Sequence, residues 1–192
     1  MDYTAQPEEA KIIRAKKMML WFGIISLSMM FGGLTSAYIV SSERKDWPAD
    51  FHLPSAFYIS TAVIILSSVT MFFAKKLVMK EKRQTGAILL GATLILGIVF
   101  IILQFNGFSE IVQQGYFFTG SDSNAKTSLI YLFVMAHIAH IVSGLIVLLV
   151  VFVNHLRGKY DKDNDLGLSL GATFWHFCDV LWIYLFLFLM FF

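Results

Sequence analysis

Residues 170–192 read LGATFWHFCDVLWIYLFLFLMFF, an apolar run of 23 residues that holds one histidine, His176, and one carboxylate, Asp179. A helix rises about 1.5 Å per residue, and about 20 apolar residues cross the hydrocarbon of a bilayer, so this run is long enough to span one. The same test finds four more stretches, at 18–40, 55–74, 86–105 and 129–153. The expected fold is all-α: an integral membrane bundle of five transmembrane helices, forming a single domain over 1–192.

Composition points the same way. The chain is 57% hydrophobic and 15% charged, with 19 Phe, whereas a soluble domain carries roughly 25% charged residues. Pro7, Pro48 and Pro54 all lie outside the apolar runs, so no broken helix is expected; this disfavours a transporter subunit, whose binding site is typically built on discontinuous helices. The first span lacks the short apolar region and small-residue cleavage site of a removable signal, and no mitochondrial presequence is visible. Cys178 is the only cysteine, which excludes an intrachain disulfide and a cysteine-rich metal site. The net charge of +2 is small and its basic groups flank the spans, so no nucleic-acid partner is expected.

Sidedness follows from the basic residues. Twelve of the 15 lie on one side: Lys11, Arg14, Lys16 and Lys17 before the first span, Lys75, Lys76, Lys80, Lys82 and Arg83 after the second, and Arg157, Lys159 and Lys162 after the fourth. Arg44, Lys45 and Lys126 lie on the other. Positive residues favour the cytoplasm, so the N-terminus is expected inside and the C-terminus outside. The longest connection, 106–128, has Gly107, Gly115, Gly120 and the polar run Ser121-Asp122-Ser123-Asn124 as loop signals, with a short interfacial helix over 108–114. Gly33 with Ala37 and Ala87 with Gly91 are small residues four apart, a spacing that lets helices approach.

Of the 15 basic and 13 acidic side chains, only Asp179 falls well within a span. A carboxylate at membrane depth costs about 2.5 to 3.5 kcal/mol on insertion scales and usually faces protein. The other intramembrane titratable groups are His137, His140 and His176. His140 and Asp179 both lie near the midplane of their spans, so these two are expected to meet. Three readings compete for the group. In the first, the histidines and Asp179 pair with one another and with hydroxyls such as Ser26, Ser28 or Ser143, fixing helix packing. In the second, His137, His140 and His176 ligate haem or a metal in a small electron carrier. The third is a proton relay, for which the first three spans supply no protonatable member. Trp21 and Trp47 fit interfacial anchors, the Phe-rich end (Phe186, Phe188, Phe191, Phe192) is expected to face lipid or a partner, and Met18, Met19, Met29 and Met30 read as gap-filling core residues.

Phe174-Trp175-His176-Phe177-Cys178-Asp179-Val180-Leu181-Trp182 resembles the tryptophan-histidine-phenylalanine-x-aspartate-valine-x-tryptophan signature of subunit III of the haem-copper respiratory oxidases. His137-Ile138-Ala139-His140, with Gly144 four residues on, resembles that family's paired-histidine motif. Five helices match its short bacterial form, and the resemblance covers nearly the whole chain.

The resemblance implies a non-catalytic accessory subunit of a terminal oxidase in the bacterial cytoplasmic membrane. Haem and copper, which reduce dioxygen to water, would lie in the partner subunit I, with none in this chain. Its implied role is to stabilise subunit I and its proton uptake and to bind phospholipid, in contact with other respiratory subunits or a larger supercomplex. Whether cytochrome c or quinol donates electrons is decided on other subunits. The signature residues carried over are His137, His140, Gly144, Trp175, His176, Asp179 and Trp182. The sequence departs from the pattern in three places: Leu27 stands where relatives commonly have an acid, Gln104 and Gly107 where the third helix often carries glutamates, and Ile138-Ala139 where glycine-leucine usually separates the paired histidines. The expected consequence is an architectural role, with no direct path for protons through the first three helices.

Overall fold

The computed structural model describes residues 8–43, 47, 53–116, 118, 124–160 and 164–192. Pro7, Arg44, Lys45, Pro48, Gly120, Ser121, Asp122, Ser123 and Lys162 lie outside this set. The described residues form five helices: α1 (Glu8–Ser41), α2 (Ser55–Val78), α3 (Arg83–Gln113), α4 (Ala125–Leu156) and α5 (Leu166–Phe191). All five are long and apolar enough to cross a membrane.

The helices overrun the apolar stretches because polar and charged residues continue each one beyond the hydrocarbon. The separate interfacial helix expected over 108–114 does not form; α3 runs unbroken to Gln113. Gly107 does not end the helix, because it packs against the ring of Phe57 on α2 and is buried there. Glu110, one turn further on, accepts a hydrogen bond from the Ser55 backbone N–H at 2.9 Å. A carboxylate from α3 thereby caps the first turn of α2, where orphan N–H groups and the helix dipole favour negative charge. Asn124 caps α4 by accepting from the Thr127 N–H at 2.9 Å, and α4 gives way to Gly158 at φ 73°, a left-handed conformation that suits glycine.

Four helices close a ring. Helix α2 packs on α3, α3 on α4, α4 on α5 and α5 back on α2, while α1 lies outside the ring against α4 and α5. Buried positions on α2 fall at 57, 60, 64, 67, 71, 74 and 78, and on α3 at 86, 90, 93, 97, 100, 104, 107 and 111. This alternation of three and four is the seam of an antiparallel coiled-coil pair. Small residues let it close: Ser60, Ser67 and Ala74 on α2, and Gly86 and Gly107 on α3, which face Val78 and Phe57 of α2.

The glycines singled out by spacing, Gly33 and Gly91, are different ones, and they do not make close contacts. A methyl group at Gly33 would meet nothing within 4 Å, and one at Gly91 would reach only the Phe152 ring at 3.8 Å. Two further expectations are corrected by the position of α1 and the depth of α5. Met18, Met19, Met29 and Met30 are exposed on α1, because that helix touches only two others and leaves most of its circumference open. Phe186 and Phe188 are buried, edge-on to Tyr58 and Tyr38 at 5.1 and 5.3 Å between centroids, and only Phe191 and Phe192 point outward. Trp21 is exposed, whereas Trp47 packs edge-on against Tyr38 at 4.8 Å.

Candidate functional site: the polar groups inside the bundle

Helix α5 carries Trp175, His176, Asp179 and Trp182 on the side that meets α2 and α4. A buried indole N–H or imidazole needs a partner, and α2 supplies three hydroxyls. Trp182 Nε1 donates to Thr61 Oγ1 at 3.0 Å, Trp175 Nε1 donates to Ser67 Oγ at 3.1 Å, and His176 Nδ1 lies 2.7 Å from Ser68 Oγ. For the two tryptophans the α2 position ascends from 61 to 67 as the α5 position descends from 182 to 175, as antiparallel helices require. Trp175 and Trp182 are seven apart, two helical turns, so both reach the same neighbouring helix.

Trp175 joins four helices. Its ring fills the space beside Gly97 on α3, where a methyl group would come within 2.7 Å of it, and beside Gly144 on α4, where a methyl group would come within 3.1 Å. The indole is fully buried and tied to α2 through Ser67. Gly144 and Trp175 belong to two separate sequence motifs, and they are in direct contact. Gly97, Thr61, Ser67 and Ser68 were not singled out by sequence. The signal available for the three hydroxyls was the seven-residue repeat on α2, at 60 and 67 and at 61 and 68, which matches the spacing of the two tryptophans.

The ionisable groups separate. Asp179 is buried, and its Oδ2 lies 3.8 Å from His176 Nδ1 on its own helix. It meets His176, not His140 as expected. The His140 Nδ1–H donates to the Ala136 carbonyl at 2.6 Å, and its ring packs edge-on to Phe31 of α1 at 5.8 Å. Similar depth along two helices does not bring side chains together when their angular positions point them at different neighbours. His137 lies in an aromatic enclosure, 5.2 Å from the Trp182 ring and 5.9 Å from that of Phe100, and neither nitrogen meets a protein partner. Ser28 and Ser143 bond carbonyls of their own helices.

His137, His140 and His176 therefore face an aromatic enclosure, α1 and α2 respectively, which is not an arrangement that holds one metal or one haem. Among the described residues no group of three or more His, Cys, Asp or Glu is placed to bind a metal ion. The positions that depart from the sequence pattern are filled by packing. Gln104 is fully buried and donates from Nε2 to Ser60 Oγ at 2.9 Å, while Gly107 makes room for Phe57.

The Asp179 carboxyl invites a graded test. Asp179→Asn keeps the volume and the hydrogen-bonding capacity, so it should leave the unfolding midpoint close to that of the parent. Neither Asp179 oxygen has a hydrogen-bond partner among the described residues, so Asp179→Ala should cost only about 1 kcal/mol, through the small void. Denaturant titration in mixed micelles measures both; an Asn variant as damaged as the Ala variant would mean that the negative charge itself is required.

Fold and site together define a multi-pass helical membrane protein whose buried indoles and imidazoles are directed at its own helices. A sequence profile described as Cytochrome c oxidase subunit III matches residues 11–192. The chain belongs to the cytochrome c oxidase subunit III family. It is 25% identical over 190 residues to cytochrome c oxidase subunit 3 of Bacillus sp. strain PS3, covering 96% of this chain and 90% of the relative. It is 27% identical over 183 residues to cytochrome bo(3) ubiquinol oxidase subunit 3 of Buchnera aphidicola, covering 93% and 87%. To cytochrome c oxidase subunit 3 of Thermostichus vulcanus it is 28% identical over 167 residues, covering 85% and 80%.

Proposed function

We propose that this chain, as one membrane domain over 1–192, is the accessory subunit III of a bacterial terminal oxidase, seated in the cytoplasmic membrane with its N-terminus inside. It packs against the subunit that holds haem and copper and supports that subunit through turnover, carrying no redox centre of its own. The observation that carries this reading is the contact of Trp175 with Gly144, which joins the two family motifs into one structural unit across α5 and α4. His137, His140, His176 and Asp179 then serve helix packing, with Gly144, Trp175 and Trp182 as its framework. The apolar cleft of about 580 Å³ between α1, α4 and α5, lined by Leu20, Val147 and Phe174, is suited to phospholipid.

Support of proton uptake is indirect in this reading. Among the described residues of α1, α2 and α3, no buried side chain is acidic or a histidine, and a proton path there would need a continuous water chain that an apolar interior does not favour. Purification in mild detergent should recover a haem-bearing subunit in roughly equal amount, and recovery of a stable, fully extracted chain alone would overturn the association. Oxidase stripped of this subunit should keep most of its initial rate but lose activity faster over many turnovers. Immediate loss of proton pumping with oxygen reduction intact would require a direct proton-conducting role instead.

A further inference from the structure

Two fully buried polar side chains, His137 on α4 and Gln104 on α3, lie inside the four-helix ring with hydrogen-bonding capacity that no protein group uses. They share one layer of it. Helices α3 and α4 run antiparallel, and the meetings of Gly97 with Leu145 and of Phe108 with Tyr131 bracket the level at which positions 104 and 137 lie side by side. Aromatic rings close that layer. The Trp182 ring stands 5.2 Å from His137, 5.2 Å from Phe100 and 5.8 Å from Phe57. Phe100 is one helical turn from Gln104, and Phe57 is one turn from Ser60, the hydroxyl that Gln104 contacts. Ser60 also fixes the direction of the Gln104 amide. Its hydroxyl donates to the Phe57 carbonyl at 3.0 Å, so its oxygen is left to accept, and the amide must present Nε2 to it, at 2.9 Å. Gln104 Oε1 is thereby a buried acceptor that no protein donor reaches. A neutral imidazole carries one N–H donor and one acceptor nitrogen, and neither nitrogen of His137 meets a protein group.

We propose that one water molecule is bound between these two side chains, accepting the His137 N–H and donating to Gln104 Oε1. The chemistry selects the occupant. A cation would suit the amide oxygen but repel the imidazole N–H, and an anion would suit the N–H but face the oxygen. A hydroxyl group does both, and water is the smallest molecule that carries one. Two partners are enough to hold a buried water, and the aromatic surroundings raise the cost of leaving either group unpaired. Enclosed by Phe57, Phe100 and Trp182, the molecule ties α3 to α4 without extending a chain of water along the bundle. The site is built from side chains of this chain alone, so it stands apart from the proposed orientation and from the oxidase assignment.

The test uses the full chain in proteoliposomes, with isotopically labelled histidine and glutamine, observed by magic-angle-spinning NMR. The His137 ring N–H, assigned by its disappearance in His137→Phe, should show a cross-peak to a water that exchanges slowly with the bulk. Gln104→Met keeps the length of the side chain and removes the acceptor, so it should abolish that cross-peak while the His137 ring signals persist. Each substitution should also lower the unfolding midpoint, and the two together should lower it by less than the sum of their separate shifts, because each alone strands the other group. Four results would overturn the proposal: no water at His137 in the parent, a direct approach of about 3 Å between the His137 nitrogen and Gln104 Oε1, a water signal unchanged in Gln104→Met, or strictly additive shifts. The parent spectrum decides the first two by itself, so the proposal stays open to refutation even where a variant fails to fold.

Discussion

Trp175→Ala should be the most damaging single substitution in this chain, lowering stability by about 3 to 5 kcal/mol. The ring is fully buried and touches α3 at Gly97 and α4 at Gly144, while its indole N–H reaches Ser67 on α2. Removing it opens a void at the meeting of four helices, and the glycines that created the space have no side chains with which to refill it. Trp175→Phe keeps much of the volume and gives up the bond to Ser67. It should cost about 1 to 2 kcal/mol, the scale of a hydrogen bond between membrane helices. Unfolding in mixed micelles read by Trp-independent circular dichroism ranks the two. An alanine variant no worse than the phenylalanine one would mean that the ring is not the keystone of the packing.

Gly107→Ala should be the second most damaging of these substitutions, at about 1 to 3 kcal/mol of overpacking, although glycine to alanine within a helix ordinarily stabilises. The added methyl would enter the space of the Phe57 ring, which is held edge-on by Trp182 at 5.8 Å. Combining it with Phe57→Leu should recover part of the loss, with a coupling of at least about 0.5 kcal/mol. Gly33→Ala provides the opposite sign. Nothing lies within 4 Å of the new methyl, so the usual helical gain of about 0.5 to 1 kcal/mol should appear. Equal effects at Gly33 and Gly107 would show that α2 and α3 are less tightly joined than their seam implies. The same pair explains how the missing acids are accommodated: a glutamate at position 107 would collide with Phe57, and an amide at 104 makes the one hydrogen bond that Ser60 offers it.

The number of helices, their membrane class and the family were legible in the linear chain. Length and hydropathy of a run need no partner to be read, and the Trp175 to Trp182 and His137 to Gly144 motifs stand in single stretches of sequence. The direction each helix faces was not legible, and most corrections trace to that. In a soluble helix an apolar stripe marks the buried side. Here lipid and protein interior are both apolar, so Met29 on the outside and Phe188 on the inside carry the same signal. Depth could be counted from residue number, and it placed His140 and Asp179 at one level. Only the tertiary arrangement decided that Asp179 meets His176, that Gly97 and Gly107 rather than Gly33 and Gly91 admit neighbouring rings, and that the hydroxyls of α2 receive the tryptophans of α5. Those outcomes depend on the rotation of each helix about its axis, which is set by side-chain fit and hydrogen bonding among four helices at once.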